Sequence, residues 1–225
     1  SNGYARPEEL WMGRNQLVTG SANVATQFGP EMGAAWAHED ADTTRLRALA
    51  ISKTAIGSTY LAPSSVGVPV VPSNSWTPDE LHHAGLLWAA LRNWWDMEQA
   101  LLARGIGPRL RALWWMQGEQ DATGTAYSAT YQANLQALWD AVKANAGYPT
   151  GQGLKAVIAR ICTGDPSMIY NADVRTAQAA FVTANSTEAA LIDTDSYPRA
   201  ADLVHYAAAG QKSLGAAFYA QTPLS

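Results

Sequence analysis

The chain has 225 residues, a formal net charge of −4 and one cysteine, Cys162. This length predicts one domain, or at most two small ones, with a core large enough to need no covalent staple. A single cysteine excludes an intrachain disulfide and a thiolate zinc site. The sequence has no basic stripe and no run of about 18 apolar residues, so neither a nucleic acid nor a membrane is expected as a partner.

Short apolar segments alternate with helical ones along the chain. Strands are predicted at 45–56, 109–116, 154–161 and 189–193, and helices at 77–104, 125–145, 170–185 and 206–220. The first of these helices opens on a capping box with proline at its first position, and it stops at Gly105. This alternation favours parallel strand pairing and an α/β three-layer sandwich, in which a parallel sheet is flanked by helices.

Ligands of such folds bind just beyond the carboxyl ends of the strands, so chemistry is expected in the segments that follow them. The strand at 109–116 is followed by a dense polar cluster at 117–121, Gln-Gly-Glu-Gln-Asp. One interpretation is a turn in which Asp121 caps the next helix. The functional alternative has the Gln117 amide donating to a developing oxyanion.

His205 is the histidine best placed for catalysis. His82 and His83 fall inside a predicted helix and His38 in an exposed charged segment, whereas His205 lies in a loop before the closing helix. Asp202, three residues earlier, could orient the imidazole and stabilise its charged form. An aspartate that caps the helix beside a surface histidine would give the same pattern, so the motif alone does not decide.

A glycine and a nucleophile complete the set of candidates. Gly57 follows the first predicted strand, and a glycine there could bring its N–H close to a ligand, although its spacing fits an ordinary turn better. An activated hydroxyl would be needed beside the histidine. The residues alone leave several serines open for that role: Ser1, Ser58, Ser64, Ser65, Ser73 and Ser75.

Four blocks, taken in order, carry a resemblance. Ser1-Asn2 match the second half of a Gly-Gln-Ser-Asn block, and 53–59 match Lys-x-x-x-Gly-Gly-Thr with Ser58 in place of a glycine. Residues 115–121 match Trp-x-Gln-Gly-Glu-x-Asp, and 202–205 match Asp-x-x-His. Together they resemble the SGNH-hydrolase superfamily, in its branch of sialate O-acetylesterase-like domains and carbohydrate esterase family 6.

The resemblance implies a single SGNH-type esterase domain over 1–225 with a flavodoxin-like parallel sheet. It implies a serine esterase that removes O-acetyl groups from a carbohydrate, polysaccharide or sialic acid, without metal or organic cofactor. Ser1 would be the nucleophile, His205 the general base and Asp202 its acid. The oxyanion hole would consist of the Ser1 N–H, the Gly57 N–H and the Gln117 side chain.

Further residues would contact the substrate or support the site: Asn2, Ser58 and Glu119. Sugar rings stack on indole faces, so the nine tryptophans fit a carbohydrate ligand. Trp76, in a loop near a strand end, is the first candidate for such a contact, and Trp11 is the second. Core packing is expected instead for Trp88, Trp114 and Trp139.

Two alternatives stay open, as does the start of the fold. Ser1 could serve an N-terminal-nucleophile hydrolase, which would need a layered antiparallel sheet, or the chain could be an inactive carbohydrate-binding module of the same fold. The first strand of an SGNH fold would precede Ser1, so we expect an upstream segment or a separate cleaved piece to supply it, since its neighbours would otherwise expose apolar edges. The particular sugar and the oligomeric state are not indicated. A secreted or extracellular protein, including a phage-associated one, is favoured.

Overall fold

The computed structural model describes residues 29–42, 48–67, 69–78, 85–146 and 153–223. The predictions made for Ser1, Asn2, Trp11, His82 and His83 lie outside these residues.

The described sheet has three parallel strands, in the order β1–β2–β3. They are β1 (Ala112–Trp115), β2 (Lys155–Ala159) and β3 (Ala189–Ile192). The register pairs Trp115 with Ile158 and Ile158 with Leu191. β2 is central, and four of its five residues are buried, as expected for a strand with neighbours on both edges and helices on both faces. Parallel pairing confirms the predicted fold class and argues against the antiparallel sheet of an N-terminal-nucleophile hydrolase.

Six helices occur in the described part of the chain. They are α1 (Pro30–Ala41), α2 (Leu86–Leu102), α3 (Thr125–Ser128), α4 (Tyr131–Asn145), α5 (Asn171–Ala184) and α6 (Ala208–Gln221). α4 packs against α5, and α1 packs against α6. None of the helices in the described ranges has the length and apolar character needed to cross a bilayer.

Two adjacent tryptophans of β1 show that the sheet lies between helical layers. The Trp114 ring stacks on Phe218 of α6, with ring centroids 5.3 Å apart. The Trp115 indole N–H donates to the Tyr131 hydroxyl of α4 at 3.2 Å. Successive residues of a strand point to opposite faces, so α6 covers one face of the sheet and α4 covers the other.

The predicted tryptophan core is largely present. Trp139 of α4 is completely buried, and Trp88 and Trp114 are partly buried against the same core cluster. The indole N–H of Trp114 donates to the Thr222 hydroxyl at 2.9 Å, so its polar atom has a partner at the edge of that core.

Three predicted elements need correction. The strand at 45–56 is wrong over its described part, because residues 48–56 form no ladder with any described strand, and an apolar run without a pairing partner is not a strand. The helix predicted from 77 begins at Leu86: Gly85 is extended, and the Leu86 N–H donates to the Ser75 carbonyl at 2.8 Å. The helix predicted at 125–145 is divided into α3 and α4.

Candidate active site

The candidate side chains lie in segments near the carboxyl ends of the strands. Gln117, Glu119 and Asp121 follow β1, Cys162 follows β2, and the loop that carries Asp202 and His205 connects β3 to α6. This is the edge of a parallel sheet at which ligands are expected.

Asp202 and His205 form a hydrogen-bonded pair within one turn. The His205 Nδ1 atom is 2.7 Å from Asp202 Oδ2. The other carboxylate oxygen, Oδ1, accepts the backbone N–H groups of Val204 at 3.0 Å and His205 at 2.9 Å. Leu203 between them takes a left-handed φ of 61°, which lets the chain turn back on the aspartate. The carboxylate therefore fixes the imidazole ring and leaves its Nε2 atom for another partner.

The charge state of this pair follows from its contacts. The hydrogen bond from the His205 side chain, reinforced by the His205 backbone N–H, lowers the pKa of Asp202 to about 2. Asp202 is therefore ionised at neutral pH and can only accept hydrogen bonds, so Nδ1 of His205 carries the shared hydrogen. The side chains are 77% exposed for His205 and 51% for Asp202, so the imidazole is open to a ligand.

The turn that carries this pair is anchored to the end of β2. The Cys162 thiol is 3.4 Å from the Leu203 carbonyl oxygen and 3.6 Å from that of Val204. The Ala200 N–H donates to the His205 carbonyl at 2.8 Å and closes the base of the loop. The position of the histidine thus depends on contacts with a neighbouring strand end and not only on its own turn.

The Gln117 side chain is buried and both of its amide hydrogens have acceptors. Its Nε2 atom donates to the Thr59 carbonyl at 2.8 Å and to Asp121 Oδ2 at 2.6 Å. Its Oε1 atom is 3.3 Å from the Tyr131 hydroxyl. The Thr59 carbonyl and the ionised Asp121 carboxylate can only accept hydrogen bonds. The amide NH₂ group must therefore face them, and the opposite orientation, with Oε1 in its place, is excluded. In this arrangement Gln117 braces the segment at Thr59, and it could donate to an oxyanion only by leaving one of these acceptors.

Asp121 is a buried carboxylate that the sequence interpretation treated only as a helix cap. Its Oδ2 accepts the Leu61 N–H at 3.0 Å, and its Oδ1 accepts the Ala62 N–H at 3.2 Å. Burial raises its pKa to about 6, although the hydrogen bonds from Gln117, Leu61 and Ala62 oppose that rise. Its backbone partner Leu61 is 60 residues earlier in the sequence, so no local pattern reveals the contact. The only available signal is that Asp121 belongs to the same block as Gln117.

Gly57 and Ser58 lie on the exposed part of the same segment. Gly57 is exposed, and among the described residues beyond its two chain neighbours a Cβ added there would meet no atom within 4 Å. Ser58 has a φ of 57°, in the left-handed region that favours glycine. This is the position at which the resemblance expects glycine.

Glu119 lies in the segment after β1 and interacts electrostatically with His205. Burial raises the pKa of its carboxyl, and the backbone N–H groups of Glu119 and Gly118 and the electrostatic interaction with His205 act in the opposite direction. Gly118 has a φ of 137°, and a Cβ there would be 2.8 Å from Val174 Cγ1. The glycine therefore lets the chain pass closely over α5 and places Glu119 at this edge of the sheet.

The prediction that Trp76 contacts a sugar is wrong. Its side chain is buried, with 7% exposed, and it packs edge to face on Trp115 with ring centroids 5.3 Å apart. Its indole N–H donates to the Thr59 hydroxyl at 2.9 Å. Both its face and its polar atom are thus used inside the protein, where they support the segment that leads from Ser58.

The parallel α/β sandwich of the described residues, with an aspartate–histidine pair beyond the carboxyl ends of its strands, is consistent with an SGNH-like esterase fold. The chain belongs to the carbohydrate esterase family of sialic acid-specific acetylesterases, whose model matches residues 11–223. Its structure is similar to the 1.6 Å X-ray structure of a protein from Arabidopsis thaliana, with a TM-score of 0.67 and 19% identity over 86% of this chain and 67% of that chain. At that identity the likeness shows the fold alone. A search among curated proteins gives no significant match.

Proposed function

We propose that the protein is a serine esterase that removes O-acetyl groups from a carbohydrate through a triad of Ser1, His205 and Asp202. Family membership supports an esterase role. The observation that carries the proposal is the 2.7 Å contact between His205 Nδ1 and Asp202 Oδ2 in an exposed turn. This contact fixes the ring tautomer and leaves Nε2 to act as a base, which is the division of labour of a serine hydrolase.

In the first half of the reaction, the Ser1 hydroxyl oxygen attacks the acetyl carbonyl carbon and its proton passes to His205 Nε2. The Asp202 carboxylate stabilises the imidazolium that forms. The tetrahedral intermediate then expels the sugar oxygen, which takes the proton from His205 and leaves as a hydroxyl. The acetyl group remains on Ser1 as an ester.

In the second half, a water molecule gives a proton to His205 and attacks the acetyl-enzyme. The new tetrahedral intermediate collapses, Ser1 regains its proton from His205, and acetate leaves. Each of these steps moves protons through side chains alone, so the proposal includes no metal or organic cofactor.

The negative charge of both intermediates falls on the acetyl oxygen and needs N–H donors. The Gly57 N–H suits this role because Gly57 is exposed and no other described residue crowds it. The Ser1 N–H would be a second donor. Gln117 acts as a third donor if one of its hydrogens leaves Thr59 or Asp121, and otherwise it holds the segment that presents Gly57.

The test is acetate release from a panel of acetylated substrates, including O-acetylated sialic acid, acetylated xylan and p-nitrophenyl acetate. We expect Ser1→Ala and His205→Ala each to lower kcat by about three orders of magnitude or more with little change in Tm. Ser213→Ala and His38→Ala are the matched controls, since both residues lie on helices outside this loop cluster.

Two outcomes would contradict the proposal. Retained activity in either triad variant would refute the assigned roles. A complete lack of turnover by the unmodified protein on every substrate would favour the inactive carbohydrate-binding module.

A further inference from the structure

We propose that Asp121 is a positioning residue that holds residues 59–62 and the Gln117 amide in the arrangement on which the oxyanion site depends. Its catalytic consequence rests on the esterase function proposed above. The contacts themselves do not, so they can be tested separately.

The Asp121 carboxylate is completely buried and is surrounded by N–H donors from two different segments. The Leu61 N–H lies 3.0 Å from Oδ2, the Ala62 N–H lies 3.2 Å from Oδ1, and Gln117 Nε2 lies 2.6 Å from Oδ2. Within the described ranges it forms no ion pair with a lysine or arginine. Burying a carboxylate without a cation destabilises the fold unless hydrogen bonds satisfy its oxygens. These N–H groups therefore offset the free-energy cost of burying Asp121.

These contacts close a ring of hydrogen bonds. The Asp121 carboxylate accepts the backbone N–H groups of Leu61 and Ala62. The Gln117 amide donates both to this carboxylate and to the Thr59 carbonyl. Two further bonds fix the same segment from its other side: the Ser75 hydroxyl donates to the Ala62 carbonyl at 2.8 Å, and Trp76 donates to the Thr59 hydroxyl. Residues 59–62 are thus tied inward at almost every position.

The tied segment continues directly into the exposed residues Gly57 and Ser58. Thr59 is buried, whereas Gly57 and Ser58 are exposed, so the anchored part ends where the ligand-accessible part begins. If Asp121 stops accepting these N–H groups, the segment that places the Gly57 N–H loses its fixed point. Catalysis is sensitive to such displacements, because a misplacement of about 1 Å can cost about 10²-fold in rate.

The test is Asp121→Asn, which keeps the shape but places an NH₂ donor among N–H donors. We expect kcat on p-nitrophenyl acetate to fall about 10²-fold while KM changes by less than about twofold. The matched control is Asp140→Asn, which removes an exposed carboxylate on α4 and should leave both constants unchanged. An unchanged kcat in Asp121→Asn, or an equal fall in Asp140→Asn, would overturn the proposal.

Amide hydrogen exchange supplies a second readout that does not depend on activity, and its measurement on the unmodified protein does not depend on a stable variant. In the unmodified protein, the Leu61 and Ala62 amides should exchange far more slowly than those of exposed residues, and Asp121→Asn should accelerate them selectively. Rapid exchange of both amides in the unmodified protein would overturn the proposal even if the variant does not fold. If the unmodified protein hydrolyses no acetyl ester, the esterase function fails, and the exchange result alone decides whether Asp121 holds this segment.

Discussion

The buried carboxylate of Asp121 should make the protein less stable as pH rises from about 4 to 6. Its pKa is about 6 in the folded protein and 3.8 ordinarily, so between these values the folded state binds the proton more tightly than the unfolded chain. The free energy of unfolding therefore decreases with rising pH over this window and levels off above it. At 1.36 kcal/mol per pKa unit, the full effect is about 3 kcal/mol.

Two other carboxylates near the site also affect the pH dependence of the free energy of unfolding: one acts at lower pH, and the other has the same sign as Asp121. The pKa of Asp202 is lowered to about 2, so its contribution to stability is present above the ordinary pKa and is lost only as the pH falls towards 2. Burial raises the pKa of Glu119, which adds a decrease in stability of the same sign as that of Asp121. The substitution Asp121→Asn should thus make the pH dependence shallower without abolishing it.

The assay is urea unfolding at a series of pH values between 4 and 7, followed by tryptophan fluorescence. The unmodified protein should lose most of this effect, about 2 kcal/mol, over this range through Asp121, on top of the contribution of Glu119. Asp121→Asn should lose correspondingly less, and Asp140→Asn should behave like the unmodified protein. A free energy of unfolding that rises from pH 4 to 6, or the same slope with and without Asp121, would refute the reasoning.

Three further predictions concern the exposed residues of the site. Ser58→Gly should raise Tm by about 2 °C, because glycine relieves a left-handed backbone strain of about 1–2 kcal/mol and adds an entropy cost of only about 0.5–1 kcal/mol. Thermal unfolding of this variant and of the control Ser58→Ala checks the prediction, and equal Tm values for the two variants would contradict it. Gly57→Ala should leave Tm unchanged, because its methyl group would contact no described residue beyond its chain neighbours. It should lower kcat/KM for p-nitrophenyl acetate about tenfold by crowding the oxyanion site; unaltered kinetics would remove Gly57 from the site. Asp202→Asn should lower kcat by about 10³-fold or more with little effect on Tm, since exposed ion pairs add little stability; a normal kcat would mean that Asp202 does not serve the histidine.

The sequence predicted the strands that became β1, β2 and β3 because each is a short apolar run that ends in polar or turn residues. It did not predict α1, whose buried residues Gly33 and Ala34 are too small to form an apolar stripe. Close backbone packing on α6 stabilises that helix, and this can be recognised only once both helices are placed. The strand prediction over residues 48–56 was wrong for the opposite reason. This segment has the apolar composition of a strand, but no described strand pairs with it.

The site divides in a similar way. The pairing of Asp202 with His205 was predictable because three residues of separation place both on a single turn. The roles of Asp121 and Trp76 were not, because their partners Leu61 and Thr59 are 60 and 17 residues away in sequence. Burial decides both cases: it turns Trp76 from a candidate ligand contact into a core residue, and Asp121 from a helix cap into an internal anchor.

The contact between the Cys162 thiol and the histidine turn makes this thiol a chemical probe of the opening of that turn. Cys162 is completely buried, and burial raises the pKa of its thiol, so it should react with alkylating reagents only when residues 203–204 move away. It is also the one cysteine in the sequence, so every alkylation event reports on the exposure of this site, through movement of the turn or through global unfolding. The rate of labelling at low denaturant therefore measures how often the loop that carries His205 opens while the rest of the molecule stays folded.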